Sequence, residues 1–240
     1  MFQHKWEGVM KCNSLFITVC VLSLTGAAGV FGDDMTTVQE ILEKCGMSGV
    51  AVDDVAVMED GQVVTLNLNN KDISKDGISV LPPDIGKLVS LREFSCTENI
   101  IETLPAEIGN CVSLQKIDCS SNRIAAIPPQ IGNLTNLTHL DVRHNSISVV
   151  PAEIKNCSNL QYLWLWGNKI TVLEPAILKL PKLKELYLKD NRLTTLPPEI
   201  IKTKFEYIDF LGNKLCNLPP KIDAWAKKID NQYKSAQRCR

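Results

Sequence analysis

Apolar positions recur along this chain as a short alternation, a polar stop and a proline corner. The stretch from Leu183 to Ile200 reads LKELYLKDNRLTTLPPEI. Leu186 and Leu188 alternate with variable residues, Asn191 follows, and Leu193, Leu196, Pro197 and Ile200 complete the unit. The same unit starts at Leu91, Leu114, Leu137 and Leu160, each 23 residues from the next. A fixed period of this length marks a stacked array in which each unit packs on its neighbours. The alternation predicts a short strand with one apolar face. Every copy runs the same way, so the strands are predicted to be parallel.

The five regular copies place Asn99, Asn122, Asn145, Asn168 and Asn191 after the strand. Their corners are Leu104-Pro105, Ile127-Pro128, Val150-Pro151, Leu173-Glu174-Pro175 and Leu196-Pro197. The first copy departs from the template, with Lys71 at the Asn position and five extra residues before Leu81-Pro82. The last starts at Phe205 after 22 residues and carries Asn213 and Leu218-Pro219. An amide side chain both donates and accepts, so a buried Asn at this spacing satisfies the turn that leaves the strand. Proline fixes φ and removes a donor where the chain turns back. The following Ile and Leu point back into the core from a helical or 3-10 turn.

Both ends need caps, because a terminal unit would otherwise expose half a core and a sheet edge. Residues 33–62 read as an N-terminal cap. Val38, Ile41, Leu42 and Cys45 recur at helical spacing with Gly46 as the stop, and two extended runs flank a turn at Glu59-Asp60-Gly61. The repeats span 63–222. Residues 223–240 form a C-terminal capping helix and tail, with Ile222, Trp225, Ala226, Ile229 and Tyr233 near helical spacing.

Residues 1–32 follow another logic. Lys5 and Lys11 precede an apolar run from Leu15 to Leu22, then small residues lead to Asp33-Asp34. That layout is a secretory signal peptide, with an uncleaved anchor as the alternative. Secretion or display at the cell surface is therefore expected, or the periplasm in a bacterium, with a membrane involved only if this segment is retained.

Nine cysteines change the picture less than their number suggests. Cys12 and Cys20 leave with the signal. Cys96 and Cys119 hold the strand position that Val142, Leu165 and Leu188 hold later, and Cys111 and Cys157 replace Leu134 and Leu180. These four read as small core residues. Adjacent strands would set Cys96 and Cys119 about 4.8 Å apart, which permits a disulfide without requiring one. Cys45, Cys216 and Cys239 lie near the ends, and Cys216 with Cys239 is a candidate staple for the C-terminal cap.

These repeats resemble the leucine-rich repeat family, in its 23-residue LxxLxLxxNxLxxLPxxIxxLxx form of Ras-group and secreted bacterial type. The match covers about two thirds of the chain with seven copies. The resemblance implies an α/β, right-handed solenoid or horseshoe, with a parallel concave sheet and a helical, 3-10 or extended convex side. It implies binding of a protein or peptide through the concave face, with no chemistry and no cofactor.

Function then rests on residues that do not repeat. Outward strand positions are small or polar in the first copies. Later they become Tyr162, Trp164, Trp166, Tyr187, Tyr207 and Leu211. Neighbouring strands bring these together as one patch, with His139, Asp141 and Arg143 as a polar rim. Exposed aromatic patches mark interaction sites, and Trp, Tyr and Arg dominate their energetics. A net charge of -1 gives no nucleic-acid footprint. His139 and Asp141 share a face, but nucleophile, matched acid and pocket are missing, which excludes an enzyme reading. A metal held by His139, Asp118 and Asp141 is conceivable, and polar lining is the simpler reading. Asn133, Asn136 and Asn156 head glycosylation sequons on the convex side. Two other functions fit the same residues: an intracellular Ras-group-like scaffold, and a carbohydrate or cell-wall binder that stacks sugars on Trp164, Trp166 and Tyr187.

Overall fold

The repeat alternation becomes an eight-stranded sheet in which strand order follows chain order. The structure is a computed structural model that describes residues 33–70 and 77–239. The signal-like segment 1–32 and the irregular start of the first copy around Lys71 lie outside the described residues. A helix, α1 (Asp33–Lys44), leads into strands β1 (Ala56–Glu59) and β2 (Gln62–Asn67), which pair antiparallel. Six three-residue strands follow: β3 (Glu93–Ser95), β4 (Lys116–Asp118), β5 (His139–Asp141), β6 (Tyr162–Trp164), β7 (Glu185–Tyr187) and β8 (Tyr207–Asp209). From β2 onward each pairs parallel with the next. Five-residue 3-10 turns such as Pro129–Asn133 form the far side of each coil, and α2 (Pro220–Ile229) ends the stack. This sheet, open at its edges, is a leucine-rich-repeat-type solenoid.

Inward strand residues and the Ile of each 3-10 turn meet in one continuous core, including Leu140, Ile154, Leu163 and Ile177. Cys96, Cys111, Cys119 and Cys157 are buried there as free thiols. Burial pushes the Cys111 and Cys157 thiols up to about 12. Each Sγ instead lies 3.1 Å from a carbonyl of the preceding coil, Ile85 O and Ile131 O.

The Asn residues tie coil to coil. The Asn145 amide donates to Cys119 O of the coil before (2.9 Å) and to Val142 O of its own (3.0 Å), and its oxygen accepts from Ile124 N (2.9 Å). Asn99, Asn122, Asn168, Asn191 and Asn213 repeat this set. The residue just before each is left-handed: Glu98, Ser121, His144, Gly167, Asp190 and Gly212. That single positive φ aims the amide back into the stack. Gly167 is glycine for a further reason, since a Cβ there would meet His144 Nδ1 at 2.7 Å. At the Leu173-Glu174-Pro175 corner the Glu174 carboxylate accepts from Ala176 N (3.3 Å), and the 3-10 turn Pro175–Lys179 starts as in other coils.

The caps use polar anchors. Asp34 accepts from Val63 N (2.8 Å), and Lys44 and Lys87 converge on Asp84 (2.6 and 2.8 Å), holding its carboxyl down at about 2. At the other end Tyr233 packs edge-on to Phe210 and its hydroxyl donates to Asp223. Gln237 plays the part of a ladder Asn, accepting from Leu215 N (3.3 Å) and donating to Phe210 O (3.4 Å). A disulfide joins Cys216 to Cys239, with Cα atoms 5.8 Å apart.

Candidate binding surface

Strand register lays the outward side chains in rows across the sheet. One row runs Lys116, His139, Tyr162, Glu185, Tyr207; the next runs Asp118, Asp141, Trp164, Tyr187, Asp209. Each strand contributes one residue per row, so a cluster forms only where several consecutive copies carry large residues. That condition is met from β5 to β8.

The rings touch in sequence. His139 stacks on Tyr162 with centroids 4.4 Å apart and planes 16° apart. Trp164 meets Tyr187 edge-on at 5.7 Å, and Tyr187 leans on Tyr207 at 4.8 Å. The Arg143 guanidinium carbon lies 5.5 Å from the Trp164 ring centre and 5.6 Å from that of Trp166, within cation–π range of both. His144 packs edge-on against Trp166 at 4.0 Å.

Asp141 does not stand at a rim. It is only 7% exposed. Its Oδ2 lies 3.3 Å from Arg143 Nε, and its Oδ1 accepts from Arg143 N at 3.1 Å. The physical reason is its row: Trp164 on one side and Asp118 on the other cover a short side chain. Burial, helped by the Asp118 charge, pushes the Asp141 carboxyl up to about 7 against the pull of Arg143. Burial and the Lys116 charge push His139 down to about 4, so its ring is neutral at pH 7. Burial and Glu185 likewise raise Tyr187, whose hydroxyl donates to the Glu185 carboxylate (3.3 Å). The surface is thus a run of neutral rings around one fixed cation.

Tyr207 is the most open of the group at 47% exposure, while Tyr162, Trp164, Trp166 and Tyr187 are half-buried by one another. Asn133, Asn136 and Asn156 are exposed on the far side of the coils, and the Asn136 amide donates to Val112 O (3.0 Å). Among the described residues no three His, Cys, Asp or Glu side chains are placed to hold a metal ion. His144 was not legible as part of the cluster. It occupies the left-handed position before Asn145, and only that backbone turn swings it toward Trp166.

A family model for a leucine-rich repeat region matches residues 65–187, and a second leucine-rich repeat model matches 182–203. The chain belongs to the leucine-rich repeat family. No curated protein matches it. Among solved structures, a leucine-rich repeat protein of Leptospira interrogans is 32% identical over 60% of this chain and 43% of its own, with a TM-score of 0.48. A plant ice-binding protein is 22% identical over 77% and 64%, with a TM-score of 0.66, and shares the fold. The plant peptide hormone receptor RGFR1, solved with RGF2, is 28% identical over 59% and 24%, with a TM-score of 0.54. This leucine-rich repeat chain therefore spans less than two thirds of each of these relatives.

Proposed function

We propose that this protein is a non-enzymatic binding module that takes a protein or peptide ligand on the aromatic surface of β5 to β8. The observation that carries this reading is the contiguous cluster His139, Tyr162, Trp164, Trp166, Tyr187 and Tyr207 with Arg143 held over two of its rings. Large rings with few rotatable bonds, fixed by their neighbours, lose little order when a ligand arrives. Trp, Tyr and Arg are the residues that most often dominate binding energy. The likeness to a peptide hormone receptor agrees with a peptide or protein ligand.

The module works outside the cytoplasm, at the cell surface or in the secreted pool. The signal-like sequence of residues 1–32 and the Cys216–Cys239 disulfide support that placement, since disulfides persist in oxidising compartments. Fractionation with N-terminal sequencing checks it: an unprocessed cytosolic product would point to the intracellular scaffold instead.

Selection of a displayed random-peptide library on the protein tests the surface. Replacing Trp164 and Trp166 together by Ala should weaken selected peptides by roughly 30-fold or more, the scale of a hot spot, with the circular dichroism of the fold retained. Undiminished binding would remove this surface as the site. Glycan-array signal lost in the same variant would move the ligand class from peptide to carbohydrate.

A further inference from the structure

Beyond each ladder Asn the chain crosses to its proline corner in five residues. In the coils of β4 to β8 these read RIAAI (123–127), SISVV (146–150), KITVL (169–173), RLTTL (192–196) and KLCNL (214–218). The second residue is buried in every coil. The first is an exposed cation, Arg123, Lys169, Arg192 or Lys214, with a half-buried Ser146 in the remaining coil. Main-chain bonds hold this flank in register. Ser146 N donates to Ile124 O (2.9 Å), Lys169 N to Ile147 O (2.8 Å), Arg192 N to Ile170 O (2.8 Å) and Lys214 N to Leu193 O (2.8 Å). The cations therefore form one row that steps by about 4.8 Å per coil. The tail continues it: Gln237 takes the ladder place, and Arg238 follows it as Arg192 follows Asn191.

No acid answers this row. None of the five segments contains Asp or Glu, and the first acid on this flank, Glu102, lies one coil earlier. Asp190, two residues before Arg192, is held by Arg238 (2.6 Å), and Glu174 caps its own turn at Ala176 N (3.3 Å). Among the described residues Arg123, Lys169, Arg192 and Lys214 make no ion pair. The wider chain is one-sided in the same sense. Residues 33–122 carry 16 Asp and Glu against 6 Lys and Arg, while 123–240 carry 10 against 18, so the field of the molecule draws anions to this half. We propose that the flank binds a linear anionic polysaccharide, laid across the coils with its sulfates or carboxylates on Arg123, Lys169, Arg192 and Lys214.

Charge sets the sign of the ligand, the row its shape and the floor its class. A small anion meets one cation, whereas four cations in a line of roughly 19 Å favour an extended chain of charges. Arg123 and Arg192 can hold a sulfate or carboxylate through two parallel N–H bonds. Beside the row, Ser148, Thr171, Thr194 and Thr195 expose hydroxyls, and Val149 and Val172 expose methyl groups. That mixture suits a sugar ring, with hydroxyls at its rim and C–H on its faces. A single-stranded nucleic acid needs rings on which its bases stack, and the five segments contain none. The flank lies beyond the Asn ladder and shares no residue with the aromatic surface, so neither reading depends on the other.

Binding of the whole protein to immobilised heparin, which is sulfated, and to polygalacturonate, which is carboxylated, tests this at about 0.15 M salt, where exposed charges are screened beyond about 8 Å. At least one should bind. Lys169→Glu with Arg192→Glu should weaken it at least about tenfold, or 1.4 kcal/mol. Lys179→Glu with Lys202→Glu makes the same change in net charge on the exposed 3-10 turns of the far side. That pair should weaken binding less than about twofold. Thr171→Val with Thr194→Val keeps charge and shape and should weaken the polysaccharide about fivefold, the scale of one lost hydrogen bond. The Trp164→Ala, Trp166→Ala protein should bind it as wild type does, and the Lys169→Glu, Arg192→Glu protein should keep peptides selected on the aromatic surface. The proposal is overturned if neither polysaccharide binds, or if the two charge-reversed pairs lose affinity equally. It is also overturned if polyglutamate or single-stranded DNA binds as tightly, or if the Trp variant loses the polysaccharide.

Discussion

The coils of β3 and β4 and the coils of β6 to β8 share one skeleton and differ on both of its faces. On the sheet face, the earlier coils carry Glu93, Ser95, Lys116 and Asp118, with Lys116 paired to Glu93 at 2.6 Å. The later coils carry the touching rings. On the far side, Gly86, Gly109 and Gly132 hold a position that Lys155 and Leu178 fill in the next two coils. A Cβ on Gly109 would lie 2.5 Å from Gln130 O, so the earlier 3-10 turns stack too closely for a side chain. The difference shows that coil packing and ligand chemistry are separable. The ladder of Asn and Leu is constant while each face is free to change.

Removing a ladder Asn gives the largest loss of stability and should not distinguish the halves. Asn122→Ala and Asn191→Ala each strip a bridge between coils and strand a main-chain N–H, at Ile101 and at Ile170. Each should cost about 3 kcal/mol in chemical denaturation. A cost near zero in one half would mean that its coils are held by something other than the ladder.

The far side does distinguish them. Gly109→Ala should destabilise by about 2 kcal/mol through overpacking, whereas the exposed Lys155→Ala should change melting by less than about 0.5 kcal/mol. Equal effects would show that the close stacking of the earlier turns has no energetic weight.

Asp141, at the junction of the halves, makes stability depend on pH. Its carboxyl holds a proton up to about 7 in the fold but only to about 3.9 in an unfolded chain. Its contribution is fully present below pH 4 and is lost as pH rises through 7. Asp141→Asn should flatten that fall, which is on the order of 4 kcal/mol for a shift of about three pKa units, and leave the variant the more stable at pH 8. The amide can still accept from Arg143 N, as Asn67 does from Asn69 N (3.0 Å). A wild-type profile that is flat between pH 4 and 7 would show Asp141 already ionised.

The smallest effect belongs to the polar face. Lys116→Ala removes a partly exposed ion pair and should cost less than about 0.5 kcal/mol. It should also let His139 hold a proton at slightly higher pH, because Lys116 is one of the two causes that depress it. An unmoved His139 titration would leave burial as the whole cause.

Leu183, Leu186, Leu188, Asn191 and Pro197 announce the solenoid because each stacked coil must fill the same inward positions and satisfy the same turn. Period and polarity therefore suffice for the fold, and the alternation of each strand marks which side chains face away from the core. Neither states what those side chains do once placed. Only the packed rows bury Asp141, lay Arg143 across two indole rings, and set the exposed His144, a left-handed residue, edge-on against Trp166. The repeat is written in residues one period apart; burial depends on neighbours that a linear pattern does not count.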